Sequence, residues 1–131
     1  AGGTRRNPRA GMSDSDFMFH MQGKALFRYA SSLIDDYFAR LLGKCGLQLS
    51  DIGTVIPHQA SHLSLEHMRK RLGVPESILI DVYRHYGNQV AASIPTALHE
   101  AVIHGRFTPG KPAMLIGTAA GLTLAGMVLM P

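Results

Sequence analysis

The chain has 131 residues, enough for one domain with a buried core, and hydrophobic residues make up 46% of it against 17% charged ones. A single cysteine excludes an internal disulfide framework and favours a reducing, cytoplasmic location, while no apolar run reaches the roughly 18 to 20 residues that cross a bilayer. The formal net charge of +4 comes mainly from basic clusters at 5–9 and 69–71, which lack the spacing of a nucleic-acid-binding motif.

The first predicted element is a long amphipathic helix. Residues 1–16 are polar and rich in Gly, Arg, Asp and Ser, which predicts an extended leader. From Gly23 onward, apolar residues recur at the spacing of one helical face, and Gly43 or Gly46 is expected to end the helix. The residues of that face are Ala25, Leu26, Tyr29, Ala30, Leu33, Ile34, Tyr37, Phe38, Leu41 and Leu42.

The rest of the chain alternates between strand and helix patterns. The predicted strands are 51–56, 78–82, 113–117 and 122–130, and the predicted helices are 63–72 and 92–104. Gly73 and Pro75 stop the first of these helices, and Pro95 fits the first turn of the second. This order predicts an α/β fold with a mixed, mostly parallel sheet, right-handed crossovers, and sheet edges paired with something outside this sequence.

Two polar segments follow predicted strands, where α/β folds place their chemistry. His58 comes directly after the first strand and can donate or accept a proton at neutral pH, although a strand-end histidine that bonds to backbone fits equally well. Asn88 follows Gly87 after the second strand. A simple turn is the more ordinary explanation, but its neutral NH₂ group can also polarise a thioester carbonyl.

Three further sites have competing interpretations. The small-residue turn 118–121 directs backbone N–H groups toward one point, as an oxyanion hole requires, and an ordinary hairpin explains it equally well. His58, His62, Glu66 and His67 invite a metal interpretation, but their spacing lacks a metal-binding motif, so no metal is expected. Cys45 lies at a helix end, where a role as a nucleophile is disfavoured.

The ordered set of motifs resembles the C-terminal half of β-ketoacyl-acyl-carrier-protein synthase III and its thiolase-fold relatives. The segments that carry the resemblance are Ile56 to Ala60, Gly87 to Pro95, Gly105 to Gly110, and Phe19 to Lys24. The similarity covers roughly 17–130, so residues 1–131 are expected to form a single C-terminal thiolase-like domain. The family's nucleophilic cysteine belongs to an N-terminal half, and Cys45 does not match it.

The resemblance implies an acyltransferase of fatty acid or related lipid metabolism that carries out a Claisen condensation of acyl thioesters. His58 and Asn88 match the family's catalytic histidine and asparagine, and Ala120 matches a position whose backbone N–H helps to form the oxyanion hole. Arg69, Lys70 and Arg71 lie near a helix that the family uses to meet acyl carrier protein. The implied partners are the N-terminal half, a carrier protein or coenzyme A thioester, and a second copy in a homodimer, with no cofactor.

The sequence departs from the family pattern at three places, one of which is Ser61, where synthase III often has asparagine. Thr118 to Leu122 stands where synthase III usually has a Phe-Gly-Gly-Gly-Phe run, and His62-Leu63-Ser64 lacks the usual docking arginine. These changes keep open a relative that uses coenzyme A thioesters. Two other classes also stay open: a non-catalytic half-domain for dimerisation or carrier binding, and a self-contained hydrolase that uses Cys45.

Overall fold

The computed structural model describes residues 11–13, 18, 22–119 and 122–130. The helices are α1 (Gly23–Cys45), α2 (His62–Leu72), α3 (Tyr83–Tyr86) and α4 (Ser93–Ile103), and the strands are β1 (Thr54–Pro57), β2 (Ala113–Ala119) and β3 (Thr123–Leu129). Single 3₁₀ turns cover Leu49–Asp51, Glu76–Ile78 and Val90–Ala92. In the part of the chain that the structure describes, no helix is both long and apolar enough to span a membrane.

The strands form one mixed sheet in the order β1-β2-β3. The β1 and β2 strands run parallel with Pro57 opposite Ile116, whereas β2 and β3 form an antiparallel hairpin with Ala113 opposite Leu129. The α/β class, the parallel crossover and the final hairpin predicted from the sequence are therefore confirmed.

Helices cover both faces of the sheet, and the alternation of side chains along β1 and β2 decides which helix each residue meets. Val55, Met114 and Ile116 join a core with buried residues of α1. Ile56 turns to the opposite face and packs with Ala97 of α4 and its neighbours. These two apolar clusters hold β1 between layers, with Val55 and Ile56 both fully buried.

The ends of the helices follow the predicted signals. Gly46 closes α1 at φ +65°, and Gly73 closes α2 at φ +68°, both in the left-handed region that glycine adopts at low cost. Helix α2 begins one residue earlier than predicted because the Ser61 hydroxyl accepts from the backbone N–H of Ser64, 3.1 Å away. Pro95 lies in the first turn of α4, as expected.

Two predicted features are wrong. Residues 78–82 do not form a strand: they contact β1 through a single parallel bridge between Val55 and Leu79. Pro57, which has no N–H, prevents the ladder from continuing. The apolar face of α1 is also buried over only part of its length, since Tyr29 remains 61% exposed while Ile34 and Phe38 lie in the core.

Candidate active site

His58 lies immediately beyond the carboxyl end of β1. Its backbone N–H donates to the carbonyl of Ile116, 2.8 Å away, and its own carbonyl accepts from the N–H of Ala60 at 3.0 Å. The ring is half-buried, and this burial lowers the pKa of the imidazole below its ordinary value. Burial therefore favours the neutral form of the ring, which can donate a hydrogen bond from one ring nitrogen and accept at the other.

Strand β2 and helix α4 meet next to His58. A Cβ atom on Gly117 would lie 3.5 Å from His58 Cβ and 2.9 Å from Ile94 Cδ1, so the absence of a side chain at this position lets the helix approach the strand end. The strand then continues to Ala119. Ala120, the predicted oxyanion position, lies outside the residues that the structure describes.

Asn88 is fixed by both ends of its carboxamide. Its Oδ1 accepts from the backbone N–H of Val90 at 2.9 Å, which closes the turn that the Gly-Asn pair predicts. Its Nδ2 donates to the carbonyl of Ala60 at 3.4 Å, two residues after His58. The structure thus brings the Asn88 side chain to the segment that carries His58, beyond the carboxyl end of β1.

The turn after Asn88 contains a backbone conformation that is unusual for its residue type. Val90 adopts φ +54°, which is unfavourable for a β-branched residue, and its side chain is exposed. The N–H of Gln89 donates to the Ser93 hydroxyl at 3.0 Å, so the first residue of α4 anchors the same turn. Strain held by surrounding hydrogen bonds is a common property of functional loops.

Gln59 is a site residue that sequence reasoning missed. It stands between His58 and Ala60, and it is fully buried. Its Nε2 donates to the carbonyls of Pro57 (2.8 Å) and Ile80 (3.1 Å), and its Oε1 accepts from the N–H of Val82 at 3.0 Å. The available signal was a second polar residue, two positions beyond a strand that is buried along its whole length.

A tyrosine and a glutamate hold the short helix α3 against α4. The Tyr86 hydroxyl donates to Glu100 Oε1 at 2.8 Å, two residues before Asn88. This hydrogen bond to a carboxylate raises the pKa of Tyr86, because ionisation would remove the donor and add a second negative charge. The contact fixes the start of the Asn88 loop.

An open cleft of about 610 Å³ lies beside the His58 segment. Its walls are the start of α1 and the start of α2, and it is lined by Gly23, Lys24, Phe27, Arg28, Ser61, Leu63 and Ser64. The lining is mainly apolar, with two cations on the α1 side. The sequence predicts a helix from Gly23 onward and gives no indication of this cleft.

The three predicted docking cations at the end of α2 are all paired with carboxylates. Arg69 donates to both carboxylate oxygens of Glu66 at 2.9 and 3.0 Å, and Lys70 lies 3.6 Å from the same group. Arg71 donates to both oxygens of Asp35 on α1 at 2.8 to 3.0 Å. Lys70 is 72% exposed, which makes it the most accessible of the three.

The residues considered for a metal site have other partners. His62 Nδ1 lies 3.2 Å from Asp81 Oδ2, and His67 Nε2 lies 3.2 Å from the Ser31 hydroxyl. Glu66 binds the basic residues of α2. Over the described ranges of the chain, no three histidine, cysteine or acidic side chains gather as metal ligands.

The segment Gly105 to Gly110, which carries part of the resemblance, lies away from His58. It contacts the opposite end of β1, where the Arg106 carbonyl accepts from the Thr54 hydroxyl at 3.0 Å and Thr108 donates to the Gly53 carbonyl at 3.3 Å. This segment therefore supports the strand. Cys45 is the exposed last residue of α1.

The fold agrees with comparisons to known proteins. Residues 42–130 match the model of the family described as 3-oxoacyl-[acyl-carrier-protein (ACP)] synthase III C terminal, and the chain belongs to this family. The resemblance to thiolase-fold condensing enzymes predicted from the sequence is thereby confirmed.

Two curated relatives show how much of such a protein the chain covers. It is 37% identical to the 3-oxopimeloyl-[acyl-carrier-protein] synthase of Rhodothermus marinus, over 98% of this chain and 38% of that protein. It is 33% identical to β-ketoacyl-[acyl-carrier-protein] synthase III of Clostridium perfringens, over 86% of this chain and 35% of that protein. The chain thus spans little more than a third of the length of these relatives.

Solved structures of such proteins have a similar backbone fold over the part that this chain covers. The β-ketoacyl-[acyl carrier protein] synthase III of Thermus thermophilus superposes with a TM-score of 0.79 at 37% identity, covering 86% of this chain and 35% of that one. The 3-oxoacyl-[acyl-carrier-protein] synthase III of Aquifex aeolicus gives a TM-score of 0.83 at 30% identity, covering 91% and 39%.

Proposed function

We propose that this chain is the C-terminal half of an acyltransferase that condenses two acyl thioesters, and that residues 1–131 form one domain of it. The observation that carries the proposal is the hydrogen bond from the Asn88 carboxamide to Ala60, which joins the Asn88 loop to the His58 segment beyond β1. Both side chains are neutral donors, the type of group that stabilises a developing enolate oxygen. The nucleophilic cysteine comes from an N-terminal half of the same fold.

The reaction proceeds in two stages. The cysteine thiolate first attacks an acyl thioester, forms an acyl-cysteine and releases the carrier thiol. The second thioester then loses carbon dioxide, or gives up an α-proton to a base of the complete site, and His58 and Asn88 donate hydrogen bonds to its carbonyl oxygen as the enolate forms. The enolate carbon attacks the acyl-cysteine carbonyl, the new carbon–carbon bond forms, and the cysteine thiolate leaves. The backbone N–H of Ala120 stabilises an oxyanion in this sequence of steps.

The cleft and the cations of α1 and α2 define the proposed thioester-binding side. The apolar lining suits the uncharged arm of a thioester carrier, and Lys24 and Arg28 suit its phosphate groups. Arg69, Lys70 and Arg71 provide docking cations for an acidic carrier protein, with Lys70 the least constrained by its partner. The substrates are coenzyme A or carrier-protein thioesters, and the chemistry requires no further cofactor.

The proposal includes assembly with other chains. Apolar side chains of α4 remain exposed, among them Val102 and Ile103, and β3 pairs on one side with β2 among the described residues. Both features provide surface for an N-terminal half to cover. The complete protein is a cytoplasmic homodimer in this proposal, and the isolated chain is inactive.

The test is to produce the chain together with a family N-terminal half and to follow both stages separately. Intact mass reports acylation of the cysteine, and product formation reports condensation. We expect His58→Ala and Asn88→Ala to abolish condensation while acylation continues, and His99→Ala, an exposed position on α4, to leave both unchanged. Wild-type condensation in both site variants would reject the catalytic proposal. No acylated partner cysteine in any variant would favour the non-catalytic half-domain instead.

A further inference from the structure

Gln59 occupies the place where the parallel ladder between β1 and residues 79–82 should continue. The ladder begins normally, since the N–H of Ile80 donates to the carbonyl of Val55 at 2.9 Å. In a parallel ladder the next bond would run from the N–H of residue 57 to the carbonyl of Ile80. Residue 57 is proline, which has no N–H, so this bond cannot form.

The carboxamide of Gln59 takes over the bonds that the ladder loses. Its Nε2 donates to the Ile80 carbonyl in place of the missing N–H of Pro57, and it also donates to the Pro57 carbonyl. Its Oε1 accepts from the N–H of Val82, which would otherwise have bonded to Pro57. One side chain therefore acts as a peptide group inserted between the two segments, and every hydrogen bond that it makes is fully buried.

The inserted carboxamide sets the geometry of both candidate catalytic segments. Gln59 lies between His58 and Ala60, so fixing its side chain fixes the backbone from which the His58 ring projects. Val82 directly precedes α3, which leads to Asn88, and the Asn88 side chain returns to Ala60. The chain runs from Val82 to Asn88, and Asn88 contacts Ala60. Because Gln59 binds Val82 and is joined to Ala60, these residues form a closed ring of contacts.

We propose that Gln59 is a positioning residue that sets the placement of His58 relative to Asn88. The consequence for catalysis rests on the function proposed above, whereas the geometric role does not. Gln59 touches no reacting atom and acts only through the two segments that it joins.

The first test uses NMR on the 131-residue chain, with Gln59→Met as the variant because methionine keeps the length of the side chain and removes its hydrogen bonds. We expect the pKa of His58 to rise toward its ordinary value and the side-chain NH₂ signals of Asn88 to shift. Val74→Ala is the matched control: it opens a cavity at a residue 2% exposed in the core that α1 covers. A general loss of stability would affect both variants alike, so equal responses would overturn the proposal.

A second variant covers the case in which Gln59→Met does not fold. Gln59→Glu keeps an acceptor for Val82, and its buried carboxyl takes up a proton and donates to only one of the two carbonyls. The Asn88 signals should therefore shift while the N–H of Val82 stays protected from exchange. Unchanged Asn88 signals in this variant would overturn the positioning role.

The catalytic consequence is measured in the chain paired with its N-terminal half. We expect Gln59→Met to lower kcat for condensation at least tenfold per folded molecule, with cysteine acylation unchanged. If His58→Ala and Asn88→Ala retain condensation, the proposed function fails while the NMR result stands. If they abolish condensation and Gln59→Met keeps the wild-type kcat, the positioning role in catalysis fails instead.

Discussion

The δ-methyl group of Ile94 on α4 lies over Gly117 on β2, 2.9 Å from where a Cβ atom would stand. Because this methyl is the far end of a flexible side chain, it can move aside. We expect Gly117→Ala to cost about 1 kcal/mol in the free energy of unfolding, measured by urea denaturation.

The same substitution at Gly126 on β3 should cost more free energy of unfolding than at Gly117. A Cβ there would lie 2.6 Å from Leu41 Cδ2 and 3.2 Å from both the Leu115 carbonyl oxygen and the Tyr37 hydroxyl. The backbone carbonyl cannot rotate away, so Gly126→Ala should cost about 2 to 3 kcal/mol. Equal losses for the two variants would contradict this interpretation of the packing.

The half-buried imidazole of His58 should make stability depend on pH. Burial lowers its pKa in the folded state, so the unfolded chain binds this proton more readily. The contribution of neutral His58 is therefore complete above an ordinary histidine pKa of about 6.5 and is lost as the pH falls toward the lower folded value. The free energy of unfolding should decrease more steeply from pH 8 to pH 5 in the wild type than in His58→Gln. Parallel curves would show that His58 is not desolvated.

The ion pair between Asp35 and Arg71 should limit the use of Arg71 in docking. Asp35→Asn removes the bidentate partner and releases the guanidinium, so binding of an acidic carrier protein should strengthen at low ionic strength. Asp36→Asn is the matched control, because it removes the same charge from the same helix but releases Arg40 instead. Titration of both variants with carrier protein checks the prediction. Equal gains would indicate a non-specific effect of net charge.

The hydrogen bond between Tyr86 and Glu100 should be visible in a tyrosine titration. The raised pKa of Tyr86 predicts a component that ionises above the ordinary range of tyrosine when tyrosinate absorbance is followed with rising pH. Tyr86→Phe should remove this late component, and Glu100→Gln should move it to a lower pH because the carboxylate is gone. A late component that survives in Tyr86→Phe would assign it to another residue.

The features that the sequence predicted well depend on local chemistry. Glycine at positions 46 and 73 ends α1 and α2 because the left-handed conformation is a property of that single residue. The first strand, expected at 51–56 and found at Thr54–Pro57, follows from a short apolar run. His58 and the turn at Asn88 likewise follow from short motifs next to these elements.

The features that the sequence did not predict depend on contacts between distant residues. Arg71 pairs with Asp35 across 36 positions, so its partner could not be read from the basic cluster alone. The segment 78–82 has the composition of a strand, and only the meeting of Pro57, Gln59 and Val82 in space prevents its pairing. Tyr29 fits the apolar face of α1, yet the packing of the described residues leaves it exposed.

Because of the Gln59 carboxamide, the two edges of the sheet should differ in their tendency to pair with a strand of another chain. On the β1 side, the side chain occupies backbone groups of Pro57, Ile80 and Val82 that an incoming chain would need for strand addition. On the other side, β3 is paired with β2 along one edge only, within the part of the chain that the structure describes. Intermolecular strand addition by the isolated chain should therefore begin at β3. The β1 edge, next to His58, would then stay outside the growing assembly.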